Sequence, residues 1–280
     1  MLPITPIPRR LRALVCSAVW LLCAAALLGC AGGPVPGADG AAWQAQLQQW
    51  RGVPLLLLGE QHDAAAHQAW ERETVQQLAA QGQLAALVIE MADAGRGTAG
   101  LPADADASQV RQALHWNDTG WPWAHYGPVV LAAVRAGVPV LGGNLPRASQ
   151  HAAMQDGALD AHLPPAALAR QQQAVREGHC DLLPESQTAP MTRVQLARDA
   201  SLARTAEQAL RPGQTVLLIA GAGHVWRGLG IPSWLPAHSG YKVAVAQAGQ
   251  APDVKKGDVD YVHRTPAIAP KDYCAALRRK

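Results

Sequence analysis

Phenylalanine is missing from all 280 residues, so the aromatic load falls on nine Trp and four Tyr. In a chain this rich in Ala, that absence carries no functional meaning. Charge is scarce too: only 16% of residues are charged, and Lys is confined to Lys242, Lys255, Lys256, Lys271 and Lys280. The formal excess of +3 is supplied by Arg9, Arg10 and Arg12, and no acidic residue precedes Cys30. Beyond residue 29 the chain is formally neutral and has no basic tract to meet a phosphate backbone, which speaks against nucleic-acid binding. No GxSxG elbow, HExxH or phosphate-binding loop occurs, so the serine-hydrolase, zincin and NTPase readings drop out. With 49% hydrophobic residues the chain is too apolar to stay disordered. The length beyond the leader suffices for one large domain or two small ones.

The three arginines open an address segment. After them, residues 13–28 run apolar, too short and wrongly flanked for a membrane span. The run ends in Leu27-Leu28-Gly29-Cys30, which resembles the lipobox of bacterial lipoproteins, where the thiol is lipidated and becomes the mature N-terminus. An ordinary secretory signal with an incidental Cys is the alternative. Ala rather than Asp at position 31 favours, by the same resemblance, sorting to the outer membrane. The expected organisation is a signal at 1–29, a lipidated Cys with a flexible Gly/Pro tether at 30–41, and one domain at 42–280. Cys16 and Cys23 leave with the signal. Cys180 and Cys274 remain as an even pair in an oxidising compartment, which predicts a disulfide, with two buried free thiols as the alternative.

Buried strands and helices alternate along the rest. Residues 53–58 (VPLLLL), 84–89 (LAALVI), 138–141 and 215–220 (TVLLIA) read as strands buried on both faces. Helices are predicted at 64–80 and from 122 to 136, and weaker strands at 241–246 and 259–263. A helical segment at 147–211, broken near 156–157 and 178–184, separates the third strand from the fourth. The pattern predicts an α/β fold, a mostly parallel sheet flanked on both faces by helices.

Each strong strand stops at polar residues: Glu60 and His62, Glu90, Asn144, and His224. Ligands of open parallel sheets bind beyond the carboxyl ends of the strands, so four segments are expected to deliver these groups to one edge. Taken singly, each could instead be a helix cap or a satisfied core group. His67 and Glu71, at i and i+4, share a helical face with His62 nearby, with a solvated pair as the alternative. Gln195, Asp199 and Leu202 form a stripe beside Arg198. Arg147 suits a carboxylate or propionate, or a surface salt bridge. The patch 121–126 (WPWAHY) places Trp123 and Tyr126 on one helical face, either as core packing or as an apolar wall whose Tyr126 or His125 ligates a metal.

The strings LLLLGEQHDAAAHQAW, ALVIEM, WPWAHYGPVVLAAVRAGVPVLGGNLPRA, GHCDLLP, MTRVQLARDASLA and VLLIAGAGHVWRGLGIPSWL, in unbroken order over residues 53–235, resemble the ChaN-type haem-binding lipoproteins. The resemblance implies a parallel sheet between two groups of helices, an outer-membrane lipid anchor, and a role in haem or iron acquisition. It further implies two cofacial haems in a homodimer, a Tyr phenolate on each iron, and propionates met by His and Lys across the dimer. By resemblance the cofactor-site positions are Glu60, His62, His67, Glu90, Asn144, Arg147, Arg198, Asp199 and His224, with Tyr126 as the expected ligand of haem iron. The GExH and GxGH strand ends also resemble a wider superfamily holding erythromycin-esterase-like and Tiki/TraB-type hydrolases. There His62 and His224 would hold a divalent metal, or a His beside a carboxylate would activate water. An envelope protein with a degenerate site is the third reading.

Overall fold

The computed structural model describes residues 38–249, 254, 257–275 and 278. The expected signal and Cys30 lie outside the described residues. The unit that carries the sheet begins at Trp43. Its strands are β1 (Leu55–Glu60), β2 (Leu84–Asp93), β3 (Val140–Asn144), β4 (Thr215–Gly221), β5 (Tyr241–Ala248) and β6 (Tyr261–Thr265). They pair in the order β3-β2-β4-β1-β5-β6, every pair parallel. The α/β expectation holds, and the sheet is parallel throughout.

The apolar runs lack alternation because both faces are covered. Leu56 and Leu58 join Leu87, Ile89, Leu217 and Ile219 under α2 (Ala65–Ala80) and α4 (Trp123–Arg135). Leu55 and Leu57 join Ala86, Val88, Val216 and Leu218 on the other face, under Leu202, Ala203 and Ala206 of α7 (Glu185–Ala209). Each of the buried Leu, Ile and Val side chains contributes roughly 1.5–3 kcal/mol. The helical segment after β3 is α5 (Arg147–Gln155), a 3-10 turn, α6 (Pro165–Gly178) and α7, with breaks where the sequence places them.

Two helices depart from expectation. The helix α1 (Ala38–Gln49) already runs through residues 38–41, expected as tether, and anchors through buried Trp43 and Leu47 at i and i+4. The helix α3 (Ala107–Leu114) opens on an Asp106/Gln109 capping box, a start signal legible in the sequence and overlooked there. Cys180 and Cys274 are joined by a disulfide, which removes the free-thiol alternative.

This architecture places the site. The strands β1 and β4 are direct neighbours, with Glu60 opposite Gly221. By the period of two, Glu60 continues the Leu56/Leu58 face, whereas Glu90 continues the Ala86/Val88 face. The two carboxylates therefore leave the same sheet edge on opposite faces, with the end of β4 between them.

Candidate functional site

Glu60, the last residue of β1, is buried and collects donors from three elements. Tyr126 Oη of α4 donates to Oε1 at 2.7 Å, His62 Nδ1 donates to the same oxygen at 2.8 Å, and Gln68 Nε2 of α2 donates to Oε2. Glu71, one turn beyond His67 on α2, is fully buried, and neither of its oxygens meets a donor among the described residues. Burial, and after it the Glu60 carboxylate, hold the Glu71 carboxyl well above the usual range. That direction favours its neutral, protonated form beside Glu60. The solvated His67–Glu71 pair allowed by the sequence is not what forms, because this face of α2 packs onto the end of β1.

Glu90 is the centre on the other face. Gly221 N–H donates to its Oε2 at 2.8 Å, His62 Nε2 lies 3.9 Å from Oε2, and His224 Nε2 lies 3.5 Å from Oε1. His224 rides on α8 (Ala222–Val225), the short turn after β4, and rests Nδ1 on buried Asp199 of α7 at 2.5 Å. Gly59 is what lets α8 sit on β1: a Cβ there would come 2.5 Å from Val225 Cγ2 and 3.0 Å from Ala222 Cα. Gly221 is equally constrained, since its Cβ would stand 2.9 Å from His62 Nε2.

The charges follow from this packing. Burial pushes His224 down, but Glu90 and Asp199 outweigh it and lift its pKa to about 9. Burial likewise opposes charge on His62, yet the Glu60 bond and Glu90 raise it above its ordinary value. Burial would raise Glu90, but His224, His62, the Gly221 N–H and Arg198 hold it below the usual range. Asp199 is lifted by burial to about 6 despite His224. At neutral pH the cluster holds His224 as an imidazolium between Asp199 and Glu90, with His62 biased toward its protonated form. It offers proton donors and compensated charge.

Two cavities open at this edge. The larger, 780 Å³, is lined by His62, His224, Gln195, His179, Lys271 and Tyr273, with small residues between them. The smaller, 490 Å³, is lined by Glu90, Asn144, Arg147, Arg198, Trp121 and His115. Asn144 Nδ2 donates to the Glu90 backbone oxygen at 2.9 Å, while Asn144 Oδ1 and Arg198 Nε find no hydrogen-bond partner among the described residues. Arg147 is exposed at the rim.

The structure thus gathers Glu60, His62, Glu90, Asp199 and His224 into one cluster and places Asn144, Arg147 and Arg198 around the smaller cavity. Two expectations need correction. Tyr126 lines neither cavity; it is buried, its hydroxyl donates a hydrogen bond to Glu60, and burial with that carboxylate drives its pKa far up, which favours the protonated phenol. His67 is fully buried and structural: Nδ1 accepts from Gln61 N–H at 2.9 Å, Nε2 donates to Thr265 Oγ1 at 3.1 Å, and burial holds the ring neutral. The alternative metal pair, His62 and His224, does converge on Glu90. Among the described residues, however, no group of three or more His, Cys, Asp or Glu side chains is arranged to hold a metal ion.

Sequence reading missed Gln68, His179, Lys271 and Tyr273. The last three come together because the disulfide brings the end of α6 beside the C-terminal segment. Tyr273 Oη donates to Asp63 Oδ2 at 2.9 Å and accepts from Gln61 Nε2 at 3.0 Å, and Lys271 pairs with Asp63 at 3.3 Å. Burial would raise Asp63, but these three partners outweigh it and hold it below the usual range.

Residues 46–235 match the family described as haem-binding uptake, Tiki superfamily, ChaN. The chain belongs to this family. A solved structure of ChaN from Campylobacter jejuni, described as showing cofacial heme binding, has the same fold: 20% identity, TM-score 0.63, covering 79% of this chain and 90% of that one. No curated protein matches the chain. The fold expected from the ChaN resemblance is therefore found. The ChaN match spans β1 to β4 and the cluster around Glu90, and stops short of Lys271 and Tyr273.

Proposed function

We propose that this chain binds haem in the 780 Å³ cavity at the carboxyl ends of the strands and serves haem or iron acquisition as a lipid-anchored protein. The observation that carries this reading is the lining of that cavity. Its volume lies in the range of cofactor pockets, about 300–1,000 Å³. Ala174, Val175 and Ala222 give apolar wall, and at Gly178 and Gly223 nothing lies within 4 Å of where a Cβ would stand. A flat macrocycle needs that kind of open, small-residue surface. Lys271 lines the same cavity and supplies a positive charge for a propionate carboxylate. Bound haem would supply an iron whose axial positions take side-chain ligands. Family membership supports the same ligand.

Haemin titrated into the purified protein should give a saturable Soret band. Gly223→Trp, which fills open space, should abolish it without loss of fold; an unchanged titration in that variant would contradict the cavity assignment.

The anchor belongs to the same proposal: an outer-membrane lipoprotein acylated at Cys30. Palmitate labelling and membrane fractionation should both be lost in Cys30→Ala, and membrane retention with label in that variant would sink it. A homodimer with cofacial haems is the proposed assembly. Leu182 and Tyr273, which are 54% and 53% exposed, flank the disulfide beside the cavity, where a second copy would cover them.

Hydrolysis is the second reading. It is favoured by the two carboxylate-backed imidazoles around Glu90, which would orient a water molecule. Without metal, His224 at about 9 keeps its proton at neutral pH and acts as an acid, not a base.

A further inference from the structure

Beyond β6 the chain runs as a strap, residues 266–275, with no helix or strand and no buried side chain. Pro266 and Pro270 have no N–H to give, and among the described residues no backbone hydrogen bond joins 266–274 to the rest of the fold. Two side chains tie the strap to the loop after β1. Tyr273 Oη donates to Asp63 Oδ2 at 2.9 Å and accepts from Gln61 Nε2 at 3.0 Å, and Lys271 Nζ stands 3.3 Å from Asp63 Oδ2. A third tie, the Cys274–Cys180 bond, reaches the end of α6.

The loop and α6 are both walls of the larger cavity. Gln61 and Asp63 line it from one, Val175 and Gly178 from the other, and the exposed Lys271 and Tyr273 complete its rim. The ties are unequal. An exposed ion pair and surface hydrogen bonds are worth little against water and salt, whereas the covalent bond is indifferent to both. Once that bond is cut, no buried apolar side chain keeps the strap on the rim. Nor does the bridge staple the interior, since neither Cys180 nor Cys274 belongs to the cores packed on the two sheet faces.

The bridge is open to attack. Both cysteines are partly exposed, and their chain neighbours Asp181 and Tyr273 are exposed. Cys180 and Asp181 hold φ of 60° and 56°, the left-handed region that side chains other than glycine rarely adopt, and release of Cys180 lets that turn relax.

We propose that the Cys180–Cys274 bridge is a redox-operated clasp on the larger cavity, opened by exchange with a dithiol. One thiolate of the dithiol attacks a bridge Sγ; the S–S bond breaks and the departing cysteine thiolate takes up a proton. The second thiol, losing its proton to the other cysteine, displaces the mixed disulfide. Two protein thiols remain, and the dithiol is oxidised to its own disulfide. The strap then leaves the rim, Lys271 and Tyr273 leave the cavity with it, and the ligand is released. The identity of that ligand rests on the haem reading; the clasp goes beyond it. A second copy seated over Tyr273 would cover the bridge, so the clasp operates on the unassembled chain. Cys274 and the strap lie beyond the stretch that matches the family.

The test compares three forms: the oxidised protein, the same protein treated with dithiothreitol in native buffer and desalted under nitrogen, and the variant Cys180→Ala with Cys274→Ala. Alkylation read by mass spectrometry should find Cys180 and Cys274 reduced without denaturant. Hydrogen exchange should accelerate in 264–275 and at the end of α6 in both opened forms, with the strands β1 to β5 unchanged. Haemin loaded into each form should pass to excess apomyoglobin about tenfold faster from both opened forms, the factor that loss of one charge-assisted hydrogen bond gives. Reoxidation should restore slow release in the treated protein. A bridge that resists dithiothreitol until the protein unfolds, or exchange that rises across the strands, would show a structural staple and overturn the proposal. Release at the oxidised rate from the opened forms would overturn it too, leaving the haem reading intact. An oxidised protein that gives no Soret change with haemin would overturn the haem reading, and the exchange result would still decide the clasp.

Discussion

Replacing Glu90 with Gln should destabilise the fold by about 3–5 kcal/mol at neutral pH, the usual result of removing one partner from a buried charge cluster. Glu90 is 3% exposed and stands between two imidazoles that its charge helps keep protonated. The variant strips that compensation while leaving the rings packed against Glu60 and Asp199. The pH dependence is the more specific signature. His224 rises from an ordinary 6.5 to about 9 in the fold, so its contribution is complete below about 6.5 and lost as pH climbs through 9. Glu90 is held below its ordinary 4.5, so its contribution is present above that value and lost as pH falls through the lowered one. Through His224 the wild type should lose on the order of 3 kcal/mol of stability as pH climbs from about 6.5 toward 9. In Glu90→Gln the alkaline loss should begin at lower pH. Urea unfolding from pH 5 to 9.5 checks both; a parallel offset with no change of shape would refute the assigned coupling.

The disulfide should give the other large effect. Cys180 and Cys274 are 94 positions apart, and closing a loop of that length restricts the unfolded chain by on the order of 4 kcal/mol. Cys180→Ser with Cys274→Ser should lower stability by about that amount, and hydrogen exchange should accelerate first in residues 271–275, the strip that lines the cavity. Loss below about 1 kcal/mol with unchanged exchange would show that packing alone holds the strip.

Much of this was legible in the sequence, for physical reasons. Runs such as 55–58 can be apolar without alternation only when both faces are buried, so a parallel sheet and its carboxyl edge follow directly. The convergence of His62 and His224 follows too, once β1 and β4 are neighbours. The fate of single polar residues was less visible. The same i, i+4 spacing of His67 and Glu71 serves a solvated pair or a buried one, and only the approach of α2 to Glu60 decides. The aromatic patch and the family resemblance point to Tyr126 as a ligand, but the carboxylate that accepts its hydrogen bond lies 66 positions away. His179 and Tyr273 carry no motif of their own, although each sits beside one half of the cysteine pair. Pairing Cys180 with Cys274 already implied that their neighbours share a surface.

The central claim is that the larger cavity at the sheet edge holds haem, and locating the iron tests it most directly. Crystals of the protein grown with haemin, with diffraction recorded at the iron absorption edge, should show an anomalous peak inside the cavity bounded by His62, His179 and His224. Iron found only on the outer face of α4, around Trp123 and His125, or nowhere on the protein, would contradict it.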